Sequence, residues 1–160
     1  MPVYNSFVRD AAGNEGPGGL AALGAVFAIE IQLHPAMAQA LAQQNQPIPA
    51  GIPGLALIDT GASGTCVHEP ILQQLSINPV GVVQGLTAAG AVKQNLYPAR
   101  LVFPATGWML DVPNTVGVNL AGQVANIVPP QPIVALLGRD LLSAWTMTWN
   151  GPGGFWTVAF

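Results

Sequence analysis

The residues best suited to chemistry stand in Ile58-Asp59-Thr60-Gly61-Ala62-Ser63, where a carboxylate follows directly on the apolar run Leu55-Ala56-Leu57-Ile58. That run begins after Gly54 and reads as a buried strand, so Asp59 is delivered at its end into a tight turn. Gly61 lets another backbone approach closely. A carboxylate held there can take or give a proton. The same residues also make an ordinary turn in which the Asp bonds its own backbone. A second stretch, Ile133-Val134-Ala135-Leu136-Leu137-Gly138-Arg139-Asp140-Leu141-Leu142, is another apolar strand running through glycine into a short helix.

Other chemistry is poorly served. Cys66, His68 and Glu69, with His34 elsewhere, match no metal-ligand spacing. His68 and Glu69 read instead as the opening of a helix at Pro70, and Cys66 as a small buried hydrophobe with no partner for a disulfide. Ser63 and Ser143 lack the nucleophile elbow. Gly151-Pro152-Gly153-Gly154 is followed by none of the residues that a phosphate loop needs, so it is a turn. Trp108, Trp145, Trp149 and Trp156 fit sheet core or interface better than a ligand platform. No metal and no cofactor is expected.

The elements that must position Asp59 are short. Apolar residues make up 51% of the 160, but 19 Gly and 15 Pro break them up, which favours an all-β domain over long helices. Residues 1–24 read as an N-terminal arm with a Gly-rich, mobile loop at 11–19, and residues 25–160 as the domain. Phe27, Ile29, Ile31 and Leu33 alternate with polar or small residues, predicting a half-buried strand over 26–33. Pro35 opens a short helix carrying Met37, Ala40, Leu41 and Gln44, and Pro70 a second with Ile71, Leu72 and Leu75 inward. Strands are expected over 80–86 and 91–103, joined by a hairpin tip at Thr87-Ala88-Ala89-Gly90. Further strands are expected over 108–112, 115–118 and 124–128, with Pro129, Pro130 and Pro132 marking a turn. Trp145, Met147 and Trp149, then Trp156, Val158 and Phe160, alternate on either side of a Gly-rich turn and predict a terminal hairpin.

Arg9, Lys93, Arg100 and Arg139 are the four basic residues against seven acidic ones, a net charge of -3. No basic cluster exists, so nucleic acid is not an expected partner. The Met1-Pro2-Val3-Tyr4 start carries no basic run before an apolar segment, and the apolar stretch 19–33 is broken by Glu30 and Gln32. A cytoplasmic protein with no membrane partner is expected.

Taken together, the two strand-turn motifs resemble those of the retroviral-type (retropepsin-like) aspartic peptidases, especially their bacterial and cellular relatives. Those proteins join an apolar strand ending in Asp-Thr-Gly-Ala to a later apolar-apolar-Gly-Arg-Asp/Asn-Leu-Leu segment, and the resemblance spans about residues 25–160. It implies a half-barrel with a flap hairpin and one or two short helices. It also implies that Asp59 is the catalytic carboxylate, that the Thr60 hydroxyl links two active-site turns, and that Gly61 lies beside a bound peptide. Ala62, Ser63 and the flap residues Gly85, Leu86, Thr87, Ala88, Ala89 and Gly90 would contact substrate. Gly138, Arg139 and Asp140 would support the catalytic turn. Viral members commonly carry an aspartate after Asp-Thr-Gly-Ala that pairs with the arginine. Here Ser63 and Gly64 stand in that region, leaving a backbone carbonyl or another acid for Arg139.

Peptide hydrolysis without metal needs one carboxylate to take a proton from water and a second, protonated, to donate to the carbonyl oxygen. Asp-Thr-Gly occurs once. The resemblance therefore implies a homodimer, meeting through the active-site turns and terminal strands, that holds water between two Asp59 carboxylates and cleaves extended polypeptides. The alternative is a non-catalytic peptide-binding or assembly module on the same fold.

Overall fold

The computed structural model describes residues 3–10, 12–87, 90–125 and 130–160, without the side chains of Leu86 and Thr87. It is mostly β with a few short helices. Its contacts divide into two compact units, Met1–Phe27 with Gly54–Thr65 and Gly122–Phe160, and Ala28–Pro53 with Cys66–Ala121.

In the first unit, β1 (Val3–Phe7) and β10 (Thr146–Asn150) flank β11 (Phe155–Ala159), both antiparallel to it. The alternation at the end of the chain produces this hairpin. Trp156 and Val158 turn one face inward and are fully buried. Tyr4, Phe27 and Trp145 complete the aromatic core, with Phe27 edge-on to Trp156 at 4.5 Å between centroids and stacked on Tyr4 at 5.0 Å. The predicted arm is thus partly regular, since β1 is a sheet strand and α1 (Pro17–Leu23) follows it. Gly19 is what allows that helix to sit down. A Cβ there would come within 2.3 Å of the Val8 carbonyl oxygen. An alternation of only five residues beside a Gly-rich stretch left these two elements invisible to periodicity.

The same unit holds β3 (Ile52–Ile58) parallel to β9 (Gln131–Leu137), two continuous apolar runs of the kind that a doubly covered parallel pair requires. The register shifts between Leu55 and Ala56, and Gly54 accommodates the displaced Val134, whose methyl group would lie 2.5 Å from a Cβ at that position. β8 (Val124–Ala125) pairs with the start of β9, so Pro132 lies inside a strand and not in a turn. Residues 126–129 of the expected strand and turn lie outside the described residues. After β9 comes α4 (Arg139–Leu142).

In the second unit, β2 (Val26–Leu33) pairs through residues 30–33 with the long β6 (Gly90–Phe103). β6 also pairs with β5 (Gly81–Thr87) and β7 (Trp108–Val118), and β4 (Cys66–His68) runs parallel to β7. The predicted face of β2 is buried, Ile29, Ile31 and Leu33 being at most 4% exposed. Residues 108–118, expected as two strands, form one. Pro98 on β6 lies opposite Pro113 and Asn114 in a bulge between Tyr97 and Ala99, so the missing N–H of Pro113 falls where the ladder is already interrupted. α2 (Pro35–Gln43) and α3 (Glu69–Gln74) appear where prolines open them. Ile71 and Leu72 of α3 are buried as expected, whereas α2 buries none of its residues and turns Met37, Ala40 and Leu41 to a cavity of about 590 Å³. Among the described residues no helix is long and apolar enough to cross a membrane.

Trp156 fills the first unit's core, and its substitution is a test of that packing. Trp156→Ala is expected to lower the unfolding free energy by about 3–5 kcal/mol in denaturant titration, through lost burial and the cavity left behind.

Candidate active site

The first unit brings the two sequence motifs together. Where β3 ends, the Asp59 N–H donates to the Leu137 carbonyl at 3.0 Å, extending the parallel pairing by one bond. The half-buried carboxylate then turns over its own loop. Its Oδ1 accepts from the Gly61 N–H at 2.9 Å and from the Ala62 N–H at 3.3 Å. Oδ2 takes no partner among the described residues. The site can therefore hold a carboxylate in one orientation while leaving one oxygen open to a water or a second acid.

Arg139 and Asp140 template the loop. The Arg139 guanidinium donates through Nη1 to the carbonyls of Thr60 at 2.7 Å and Gly61 at 3.0 Å. The N–H groups of Arg139 and Asp140 donate to the carbonyls of Ala62 at 3.0 Å and Ser63 at 3.2 Å. Four successive carbonyls of an irregular segment are thereby satisfied by two residues. Of the two partners the sequence left open for Arg139, the backbone carbonyl is the one found. Gly138 allows the crossing, because a Cβ there would lie 2.4 Å from the Gly64 carbonyl carbon.

Sequence reasoning missed Thr65. It is fully buried, its hydroxyl donates to Asp140 Oδ1 at 2.8 Å and accepts from the Gly138 N–H at 3.2 Å, and its own N–H donates to Asp140 Oδ2 at 2.9 Å. Asp140 Oδ1 also accepts from the Leu141 N–H. A buried threonine among small residues carries no distinctive spacing, and only the pairing of the motifs exposes its role.

Thr60 and Ser63 are exposed and Ala62 is half-buried. The Thr60 hydroxyl takes no partner among the described residues. The other expected substrate residues belong to the second unit, on the β5–β6 hairpin. Gly85 faces Gln94, whose Oε1 would lie 2.3 Å from a Cβ, and Gly90 adopts φ +111, a conformation glycine tolerates. Ala88 and Ala89 lie outside the described residues, as do the side chains of Leu86 and Thr87.

Also missed was a polar cluster in the second unit. Glu69 Oε1 accepts from the Tyr97 hydroxyl at 2.5 Å and from the Asn95 amide at 2.9 Å. These bonds, Tyr97 first, hold the Glu69 carboxyl below its usual range against an opposing effect of burial. Burial and the bond to Glu69 push the Tyr97 phenol up. The neighbouring His68 accepts from the Leu120 N–H through Nδ1. Among the described residues no three His, Cys, Asp or Glu side chains gather as a metal site would require.

Thr65→Val keeps the shape but strands the Gly138 N–H, and is expected to cost about 1–3 kcal/mol, with Thr65→Ser recovering most of it, as read by denaturant unfolding. Neither a family model nor a curated protein matches the chain. Among solved structures it is similar to the crystal structure of a retropepsin-like aspartic protease from Rickettsia conorii. The two share 15% identity over 98% of this chain and 91% of that one, with a TM-score of 0.51. At that identity the likeness is one of fold, and the fold of this chain is retropepsin-like in its general topology.

Proposed function

We propose that this chain is one subunit of a homodimeric aspartic endopeptidase, in which Asp59 from each of two copies activates a water for attack on a peptide bond. The observation that carries the reading is the half-buried Asp59 carboxylate at the end of β3, fixed by Gly61 on one oxygen and unengaged on the other. In the proposed reaction the ionised Asp59 takes the proton from water, and the protonated Asp59 of the second copy donates to the carbonyl oxygen of the scissile bond. The retropepsin-like fold and the Arg139 brace support this role. An extended substrate would be held by main-chain hydrogen bonds, with the β5–β6 hairpin acting as flap and apolar pockets selecting side chains.

The single Asp-Thr-Gly and the exposed Thr60 hydroxyl support a twofold arrangement through the catalytic turns. At the terminal strands, both edges of β11 are already paired within the chain, so a second copy would extend that sheet only at β1 or β10. Trp149 of β10, 51% exposed, offers the apolar surface. A binding or assembly module is the second reading, favoured by one observation. Asp59 Oδ1 is bonded to its own turn, a structural role that requires no catalysis.

Asp59→Asn keeps size and turn but can neither accept the water proton nor donate an acid proton. It is expected to lower cleavage of a library of unfolded peptides by at least about 10²–10⁴-fold across roughly pH 3–7, with fold and dimer intact. Equal cleavage by mutant and wild type would remove Asp59 from the chemistry. No cleavage by either, with dimers present, would favour the binding module. Light scattering over a dilution series should show dimers dissociating to monomers, at higher concentration in Thr60→Ala than in wild type. A monomer at every concentration would defeat the dimeric reading.

A further inference from the structure

The β5–β6 hairpin is exposed on both faces. Val82 is 62% exposed, Val83 36% and Val92 43%, and Gln84, Ala91 and Lys93 are exposed beside them. Among the described residues β5 is the end strand of its sheet and pairs only with β6. With so little apolar burial, the outer hairpin is held mainly by its own ladder and draws its orientation from its root. Burial returns there at Tyr97, which is 2% exposed.

At that root sits Glu69. It begins α3, a helix fixed by buried Ile71 and Leu72, and it grips β6 through Asn95 and Tyr97. Both bonds converge on one carboxylate oxygen. Gly117 on β7 makes the space, since a Cβ there would come within 2.6 Å of the Tyr97 ring and 3.3 Å of the Glu69 carboxyl carbon. Asn95 pairs with Val82, so the grip falls at the root of the hairpin, beside the start of β5.

We propose that Glu69 is the positioning residue of the hairpin, its ionised carboxylate tethering β6 through Asn95 and Tyr97 and so limiting how often the hairpin opens. The proposal deepens the peptidase reading and rests on it for the hairpin's role as flap. An ionised acceptor makes hydrogen bonds about twice as strong as a neutral one, and a protonated Glu69 would accept these two bonds more weakly. Few groups compete for that charge. Tyr97 is the titratable group bonded to it, Gln73 reaches Tyr97 from α3, Lys93 lies two residues beyond Asn95 and is exposed, and β7 brings the uncharged Gly117 beside it. Next to Glu69 in the chain, His68 is bonded to the Leu120 N–H. Because the Glu69 carboxyl is held below its usual range by these bonds, the tether is complete above the ordinary carboxylate range and is lost as pH falls through the lowered folded value.

Amide hydrogen exchange on the full chain tests this, comparing wild type, Glu69→Gln and Tyr97→Phe at about pH 6 and at a lower pH where NMR of the Glu69 carboxyl shows it protonated, after correction for intrinsic rates. At the higher pH both variants are expected to exchange the amides of residues 81–87 and 90–96 about tenfold faster than wild type, while those of β11 are unchanged. At the lower pH the ratio should fall towards one, because wild type has lost its own charge. Wild-type rates in the variant hairpins at pH 6 would overturn the proposal. So would equal acceleration in β11, or a ratio that persists once Glu69 is protonated, the mark of a merely structural contact. Should a variant not fold, wild type decides alone. Hairpin protection relative to β11 must drop between the two pH values, and constancy would overturn the tether. Exchange does not require cleavage, so an inactive protein with the expected exchange would refute the peptidase reading and leave the tether standing.

Discussion

Everything at the candidate site depends on the buried hydroxyl of Thr65, which joins the Asp140 carboxylate to the Gly138 N–H. A threonine sealed from water must have its hydrogen-bonding capacity met inside the protein, and leaving its partners unpaired costs more than the bonds themselves contribute. That requirement fixes the distance between the loop after β3 and the turn before α4. Once they are fixed, the backbone N–H groups of Arg139 and Asp140 reach the carbonyls of Ala62 and Ser63, and the guanidinium reaches those of Thr60 and Gly61. The loop cannot drift without losing several bonds together. Asp59 inherits this rigidity, although its own bonds are few.

Arg139 braces the loop through the loop's own backbone. A guanidinium carries five donors and can neither lose its proton nor easily stay unpaired. Here the carbonyls of Thr60 and Gly61 accept from it, and the arginine serves as a backbone brace. The exposed position of Arg139 keeps this affordable, since the residual charge remains in contact with water.

Much of this was legible from residue order. The strand before Asp59, the strand before Gly138, the alternating face of β2 and the terminal hairpin each follow from one local pattern of burial, and local patterns survive in a sequence. The support at Thr65 and the cluster of Glu69, Asn95 and Tyr97 do not, because each joins residues far apart in the chain whose types are unremarkable where they stand. Glu69 read only as a helix opener, which it also is. The merging of 108–118 into one strand failed for a related reason. Pro113 is a strand breaker by itself and becomes harmless only opposite Pro98, a pairing invisible to a local window.

The central claim is that two Asp59 carboxylates, from two copies, make one site. It is tested most directly by mixing wild type with inactive Asp59→Asn subunits in varying proportion, at fixed total concentration and after full exchange, and measuring the initial rate of peptide cleavage. If each site needs both carboxylates, activity falls as the square of the wild-type fraction, because mixed dimers are silent. A linear fall would show that a single Asp59 suffices, and would contradict the account.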